Sequence, residues 1–458
     1  MSEPFVVVLG ACFVFGLVRW RAAAIAAIVL AVGEGALRKW AFPEAQQYVY
    51  FLKDALLFGA YVGHLGGRLV RHQRLIPAHP ANPALGFFAV LVALEALNPG
   101  LPSPLVGLFG IRAYLMYVPL MYLVPALFPD TVALRRFWVW YLLLALVPLA
   151  IGPIQYNSAF DSELNRYSWS DEPNAWPITF GTLDDPIRVT GTFSFISGYT
   201  TYLLVILAVG SSVTLFARRV RTRWALFGYL TLAAFNLLMT GSRGPFLVLA
   251  GALPLLFMIA AQVRGVRAAR AALAAIILIP LVATVLPAVF SEGVGSVFMA
   301  RVRRGDSVVD RAVEPLRSFL DASEVAGAFG YGAGSTHQAV AFLEPDFRGI
   351  TPPAEDEWQR IVLELGPLGL ALTLMIRILV AVRLWRALRS TDDTGRPFIA
   401  AALVFVLAHV PGSLVFNHTA ALFYWFMAGF ALIAPRAGAS REVVPAPIVG
   451  ATRAPAER

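Results

Sequence analysis

Apolar runs of about 20 residues recur along most of the chain, long enough to cross ~30 Å of hydrocarbon as helix at ~1.5 Å per residue. They fall near 5–18, 22–37, 47–63, 82–97, 105–128, 137–152, 192–216, 224–240, 245–262, 271–290, 361–382, 398–411 and 414–434. The pattern predicts an all-α, polytopic membrane protein with about 12–13 transmembrane helices. Two polar intervals interrupt it. The shorter is a loop at 153–191; the longer, 291–360, precedes the last spans and is expected to be helical in its middle, as an interrupted amphipathic helix or helix pair. The chain therefore divides into 1–290 with ten spans, the large loop 291–360, the last spans 361–434 and a tail at 435–458. That tail is rich in Ala and Pro, has nothing to bury, and is expected to be disordered.

Composition agrees. Hydrophobic residues make up 58% of 458 and charged residues 14%, against roughly 25% charged in a soluble chain. The net charge of +9 has a topological source rather than nucleic acid as a partner. Basic residues gather in every second connection, at Arg19 and Arg21, Arg68 to Arg74, Arg135 and Arg136, Arg218 to Arg223, Arg264 to Arg270, Arg383 to Arg396, and Arg436 and Arg441. The positive-inside rule makes those connections cytoplasmic, with the N-terminus outside and the C-terminus inside. Cys12 is alone and can form no intrachain disulfide. MSEPF lacks a basic n-region, so no cleavable signal peptide is expected.

The chemistry is concentrated where charges meet apolar sequence on the less basic side. Glu34, Arg38, Lys39, Lys53 and Asp54 sit near or inside spans. Glu34 and Arg38 are four apart and can meet side by side on a helix. Two readings stand, an ion pair that locks helices or a basic rim that holds an anionic ligand. Arg112, eight residues past a short outward loop, divides in the same way. The loop 153–191 carries acidic residues with Trp169 and Trp176, a mixture suited to carbohydrate and equally to a solvated cap. In MTGSRGPFLVL, Arg243 stands beside backbone N–H groups at a helix start, which is a sound cradle for an oxyanion.

In the large loop, Arg301, Arg303 and Arg304 are clustered, and FGYGAGSTHQ is a Gly-rich turn that lacks the GK[ST] of a nucleotide-binding loop. His337 is a candidate base. In PPAEDEWQRIVLELGPLGL, Asp356, Glu357, Arg360 and Glu364 crowd the mouth of a span, and Glu357 or Asp356 is a candidate general base. Glu355, Asp356 and Glu357 are consecutive, so they point different ways on a helix and make a poor metal site. His409, Asn417 and His418 form the remaining polar cluster.

LRKW…FP…YFLKD, RVTGTF, LLMTGSRGPFLVL, FGYGAG and EWQRIVLELGPLGL, in that order and spacing, resemble the bacterial O-antigen ligase/polymerase superfamily, the Wzy-like polysaccharide polymerases and WaaL-like ligases. Together these pieces span most of 34–370. The resemblance implies a GT-C-like bundle of about a dozen spans in the bacterial inner membrane. It also implies a periplasmic active site, and donors that are glycans linked to undecaprenyl pyrophosphate. No cofactor and no metal are implied. A chain-length regulator in the membrane is a further partner of such systems. By resemblance, Arg188 and Arg243 bind donor pyrophosphate; Arg112, Arg301, Arg304, Arg360 and Lys53 join them as binding candidates from their own positions. Where ligases often read His-Asn, this chain has Ala354-Glu355-Asp356-Glu357, which favours a repeat-unit polymerase over a ligase. A transporter or flippase is the rival from another class. Against it stand the large outward loop and the lack of an inverted repeat.

Overall fold

The computed structural model describes residues 2–168, 176–182, 185–217, 219–266, 270, 308–337, 340, 354 and 356–434. Arg301, Arg303, Arg304, Glu355, the expected span at 271–290 and the tail lie outside them. Apart from one isolated bridge between Thr179 and Ile187, the described residues are helices and their connections. Among the described residues, five helices are long and apolar enough to span a membrane, or six if a bent pair is one span, and four more apolar helices are shorter. The protein is an all-α, multi-spanning membrane protein.

The N-terminal helices are α1 (Ser2–Val18), α2 (Trp20–Ala36) and α3 (Leu52–Val70). Gly59 and Gly63, one turn apart on α3, bring its backbone against the carbonyls of Phe13 and Leu17 on α1, leaving no room for a Cβ. Next come α4 (Asn82–Ala96), α5 (Pro104–Leu115) and α6 (Leu120–Leu127), the last two bent by 44° at a break before Pro119 and Leu120. Helix α7 (Thr131–Leu144) starts earlier than the apolar run does. Asp130 caps it by accepting from the Ala133 N–H at 2.8 Å, so Arg135 and Arg136 ride on helix rather than in a connection. Then follow α8 (Leu146–Tyr156), α9 (Ile196–Phe216), α10 (Val220–Met239) and α11 (Gly244–Arg264). Helix α9 is the most enclosed of the long apolar helices, with 89% of its most apolar window buried. The C-terminal part holds α12 (Val308–Ala326), α13 (Glu357–Ser390), α14 (Arg396–Ala408) and α15 (His418–Ala428).

Helix α13 departs most from expectation. The run IVLELGPLGLALTL reads as one span entered directly from the loop. As one straight helix it would hold Glu357 and Arg377 ~30 Å apart. They instead form an ion pair at 2.5 Å. The chain turns back at Gly366, whose φ of 69° and ψ of 177° suit glycine almost alone, with Pro367 next. So 357–365 is a short helical arm folded against the span, and 367–390 is the spanning piece, ~36 Å long. The carboxylates of the arm are inside the bundle, not at its mouth.

The basic connections meet at one end. Arg21 donates to the Ala126 carbonyl, Thr131 donates to Asp392 at 2.8 Å, and Arg135, Arg219 and Arg396 line one cavity. The turns at 37–51, 190–197, 330–337 and 409–417 meet around a different cavity, bordered by the opposite ends of α2 and α3.

Candidate functional site

A cavity of about 580 Å³ opens among those turns. One wall begins where α2 gives way to a π-helical turn, Leu37–Ala41. Such turns break the 3.6-residue register and recur at functional sites. Here the turn separates Glu34 from Arg38, so the expected i,i+4 pair does not form. Glu34 pairs with Lys53 of α3 at 2.6 Å. Lys39 is buried and holds Thr190 Oγ1 at 2.9 Å and the Gly191 carbonyl at 2.7 Å. Arg38 lines the cavity, donates to Ser194 Oγ at 3.0 Å and lies over the Tyr50 ring. Among the described residues Arg38 makes no ion pair, and its Nε finds no acceptor.

The opposite wall is built from two helix starts. Ser197 and Gly198 open α9, and Asn417, His418 and Thr419 open α15; all five line the cavity. The Asn417 side chain caps α15 through Ala420 N, and its amide donates to Ser197 O at 3.1 Å and Thr201 Oγ1 at 2.9 Å. Two helix starts, each carrying the positive end of a helix dipole, are thereby fixed side by side. That arrangement favours an anion.

Arg112 braces this region from behind. It is paired with Asp54, with Nε to Oδ2 at 2.8 Å, and Tyr117 donates to the other carboxylate oxygen at 2.7 Å. Its Nη1 reaches Tyr50 OH at 3.2 Å and His418 Nε2 at 3.3 Å. Arginine can only donate, so His418 Nε2 is the acceptor and the neutral ring carries its proton on Nδ1. Nδ1 has no partner among the described residues. His418 is thus set as a donor.

His337 lies 6.4 Å from His418, ring centre to ring centre, and also lines the cavity. Its loop is pinned by Glu364, whose carboxylate accepts from Gly334 N at 2.9 Å, Thr336 N at 3.2 Å, Thr336 Oγ1 at 2.5 Å and Arg360 Nε at 3.0 Å. Gly334 needs its φ of 89° to present that N–H. Burial and the guanidiniums of Arg360 and Arg112 push His337 down to about 3. It is neutral at ordinary pH, and a bound anion would relax the field that holds it down.

The expected carboxylate base has another position. Glu357 is 2% exposed. It is paired with Arg377 and accepts from Leu414 N and Val415 N, both at 2.8 Å, and Phe416 N at 3.4 Å. Arg377 also donates to the carbonyls of His409, Val410 and Gly412. A carboxylate with that many donors has its acceptor positions filled. Glu357 does not line the cavity; it shapes the turn that delivers Asn417 and His418. Asp356 caps α13 through Gln359 N at 2.9 Å and accepts from Ser318 of α12. Arg360 is buried between Glu364 and the Phe416 ring, behind the cavity wall. Arg188 donates to Thr240 O at 2.7 Å and Ser242 Oγ at 3.2 Å, and Ser242 meets Thr200 of α9 at 3.4 Å. Arg243 begins α11 beside them, half-buried. This pair borders α9 one turn from the cavity-lining Ser197 and Gly198, and neither member is among the lining residues.

Of the residues singled out from sequence, Glu34, Arg38, Lys53, His337, Asn417 and His418 line the cavity, while Arg112, Arg360 and Glu357 lie behind its wall. Arg377 was missed, although an arginine inside GLALTLMIRILVAV is the signal that finds it. No protein-family model matches the chain, and no curated protein matches it.

Proposed function

We propose that the protein is a glycosyltransferase that extends glycans carried on a lipid pyrophosphate, at the outer face of the bacterial inner membrane. The observation that carries this reading is Arg38, which makes no ion pair among the described residues and lines a cavity of about 580 Å³ together with two joined helix starts. Cavities of that size hold ligands of several rings. The wall also presents Tyr50, Phe109 and Phe193, aromatic faces on which sugar rings can stack.

In this reading Arg38, the N–H groups of α9 and α15 and the Nδ1–H of His418 hold the pyrophosphate and stabilise the charge that grows on it. A hydroxyl of the acceptor glycan attacks C1 of the donor sugar. The new C1–O bond forms as the bond from C1 to the pyrophosphate oxygen breaks, with inversion. The hydroxyl proton passes to His337, made more basic by the bound anion, and the lipid pyrophosphate leaves with the bonding pair. Energy is stored in the glycosyl phosphate bond, so no nucleotide enters a step. The end with few basic connections faces outward in this reading, as the positive-inside rule requires.

The test is extension of a defined lipid-linked repeat by the purified chain in detergent, with product length and anomeric configuration read together. The reading predicts longer lipid-linked products of inverted configuration, and loss of extension in Arg38→Ala. Transfer of one intact chain to a different acceptor without extension would identify a ligase. Movement of unaltered substrate across liposomes would overturn the enzyme reading.

A further inference from the structure

The basic end carries a second cavity, of about 520 Å³, remote in the chain from every residue assigned to the proposed transfer. Three guanidiniums reach it from three separate segments. Arg135 comes from α7, Arg219 from the residue before α10, and Arg396 from the first position of α14. One carboxylate, Asp393, lies among them, and it pairs with Arg396 at 2.5 Å. Arg135 and Arg219 form no ion pair among the described residues, so three guanidiniums share the space with one described carboxylate. The other side is apolar, from Val213 and Phe216 at the end of α9 and Phe398 of α14.

The positive-inside bias explains why arginines are at this end, but not why three of them converge on one hollow with an oily wall. Like charges repel, and an exposed arginine is free to turn to water instead. We propose that this cavity binds the phosphate of an anionic phospholipid headgroup, with Arg135 and Arg219 on the phosphate oxygens and the upper acyl chain along Phe216 and Phe398. Guanidinium suits phosphate because its planar N–H groups can grip two oxygens together. Basic pockets between helices at this kind of membrane face are suited to such headgroups. A soluble phosphate ester has the same recognisable group but nothing to set against the apolar wall.

The test uses the full chain, stripped of lipid in a neutral detergent, with thermal unfolding followed by tryptophan fluorescence. Dioctanoyl phosphatidylglycerol is titrated against dioctanoyl phosphatidylcholine, glycerol phosphate and inorganic phosphate. Saturable stabilisation by phosphatidylglycerol is expected, with phosphatidylcholine at least roughly tenfold weaker. Arg135→Gln with Arg219→Gln should weaken binding by about tenfold or more. The control pair Arg71→Gln with Arg74→Gln, at the same end but outside the cavity, should leave it unchanged. Should the double variant not purify as a single species, Arg135→Gln alone serves, with about a fivefold loss expected. Glycerol phosphate binding as tightly as the lipid would keep the phosphate contact and move its source to a soluble ester. Equal binding of phosphatidylcholine, or equal losses in the control and cavity variants, would overturn the proposal.

Discussion

The two ends of this protein use arginine in opposite ways. At the basic end, Arg136 and Arg221 stand exposed on their helices, outside the cavity there. They need no partner because water solvates them, and their value is in number and side. At the other end Arg112, Arg360 and Arg377 are almost wholly buried, and each has a carboxylate of its own, Asp54, Glu364 and Glu357. Here position decides everything, since a buried charge without its partner is severely destabilising. Arg38 belongs to neither pattern. It is partly buried among paired charges yet has no carboxylate within ion-pair distance among the described residues, and it faces open space. The comparison teaches that an outlier within a well-paired region is a better pointer to a ligand than charge density alone.

The comparison can be broken at its strongest joint. Glu357→Ala leaves Arg377 buried and unpaired, and is expected to lower stability by about 3–5 kcal/mol. Size-exclusion behaviour and unfolding midpoint in detergent would show it, and the pair Glu357→Met with Arg377→Leu should recover part of the loss. If Glu357→Gln instead kept full stability and lost only activity, Glu357 would return as a catalytic group. Next in size is Arg38→Ala, which should reduce extension by roughly 100-fold while the unfolding midpoint stays close to wild type. Arg38→Lys, keeping charge without the fork of donors, should fall between the two.

A smaller effect concerns acid. His337 is held down to about 3 in the folded protein, against an ordinary 6.5. Between those values the unfolded chain binds a proton that the folded chain refuses, so stability falls as pH drops through that window. The unfolding midpoint from pH 7 to pH 4 should therefore decline less in His337→Gln than in wild type; parallel curves would contradict the burial described for this ring. The smallest effect is expected from Arg71→Gln, an exposed residue at the basic end, which should change stability by less than about 0.5 kcal/mol.

The all-α, multi-spanning character was legible because lipid imposes a simple code of long apolar runs; of the 12–13 expected spans, five or six helices among the described residues are long and apolar enough. The break at Gly366 was not. Glycine and proline are tolerated inside spanning helices, so LGPLG fits a straight helix as well as a turn, and the sign of φ is not written in residue type. The carboxylates of EDEWQRIVLE were visible as a special cluster, yet their role was misjudged for the same reason. Whether Glu357 faces a cavity or three backbone N–H groups depends on 414–416, far along the chain. Arg38 stood open between an i,i+4 pair with Glu34 and an anion-binding rim, since nothing in LRKW announces a π-helical turn. Arg188 came from resemblance, and Arg243 from its place at a helix start as well; the structure puts Arg188 against Ser242, with Arg243 next in the chain, beside the cavity rather than in it.

The most direct test of the account is the affinity of a short polyprenyl pyrophosphate compared with its monophosphate, in wild type and in Arg38→Ala. Saturable binding is expected, with a preference of about tenfold or more for the pyrophosphate and loss of that preference in the variant. Equal affinity for the two lipids in wild type, or an undiminished preference in Arg38→Ala, would contradict it.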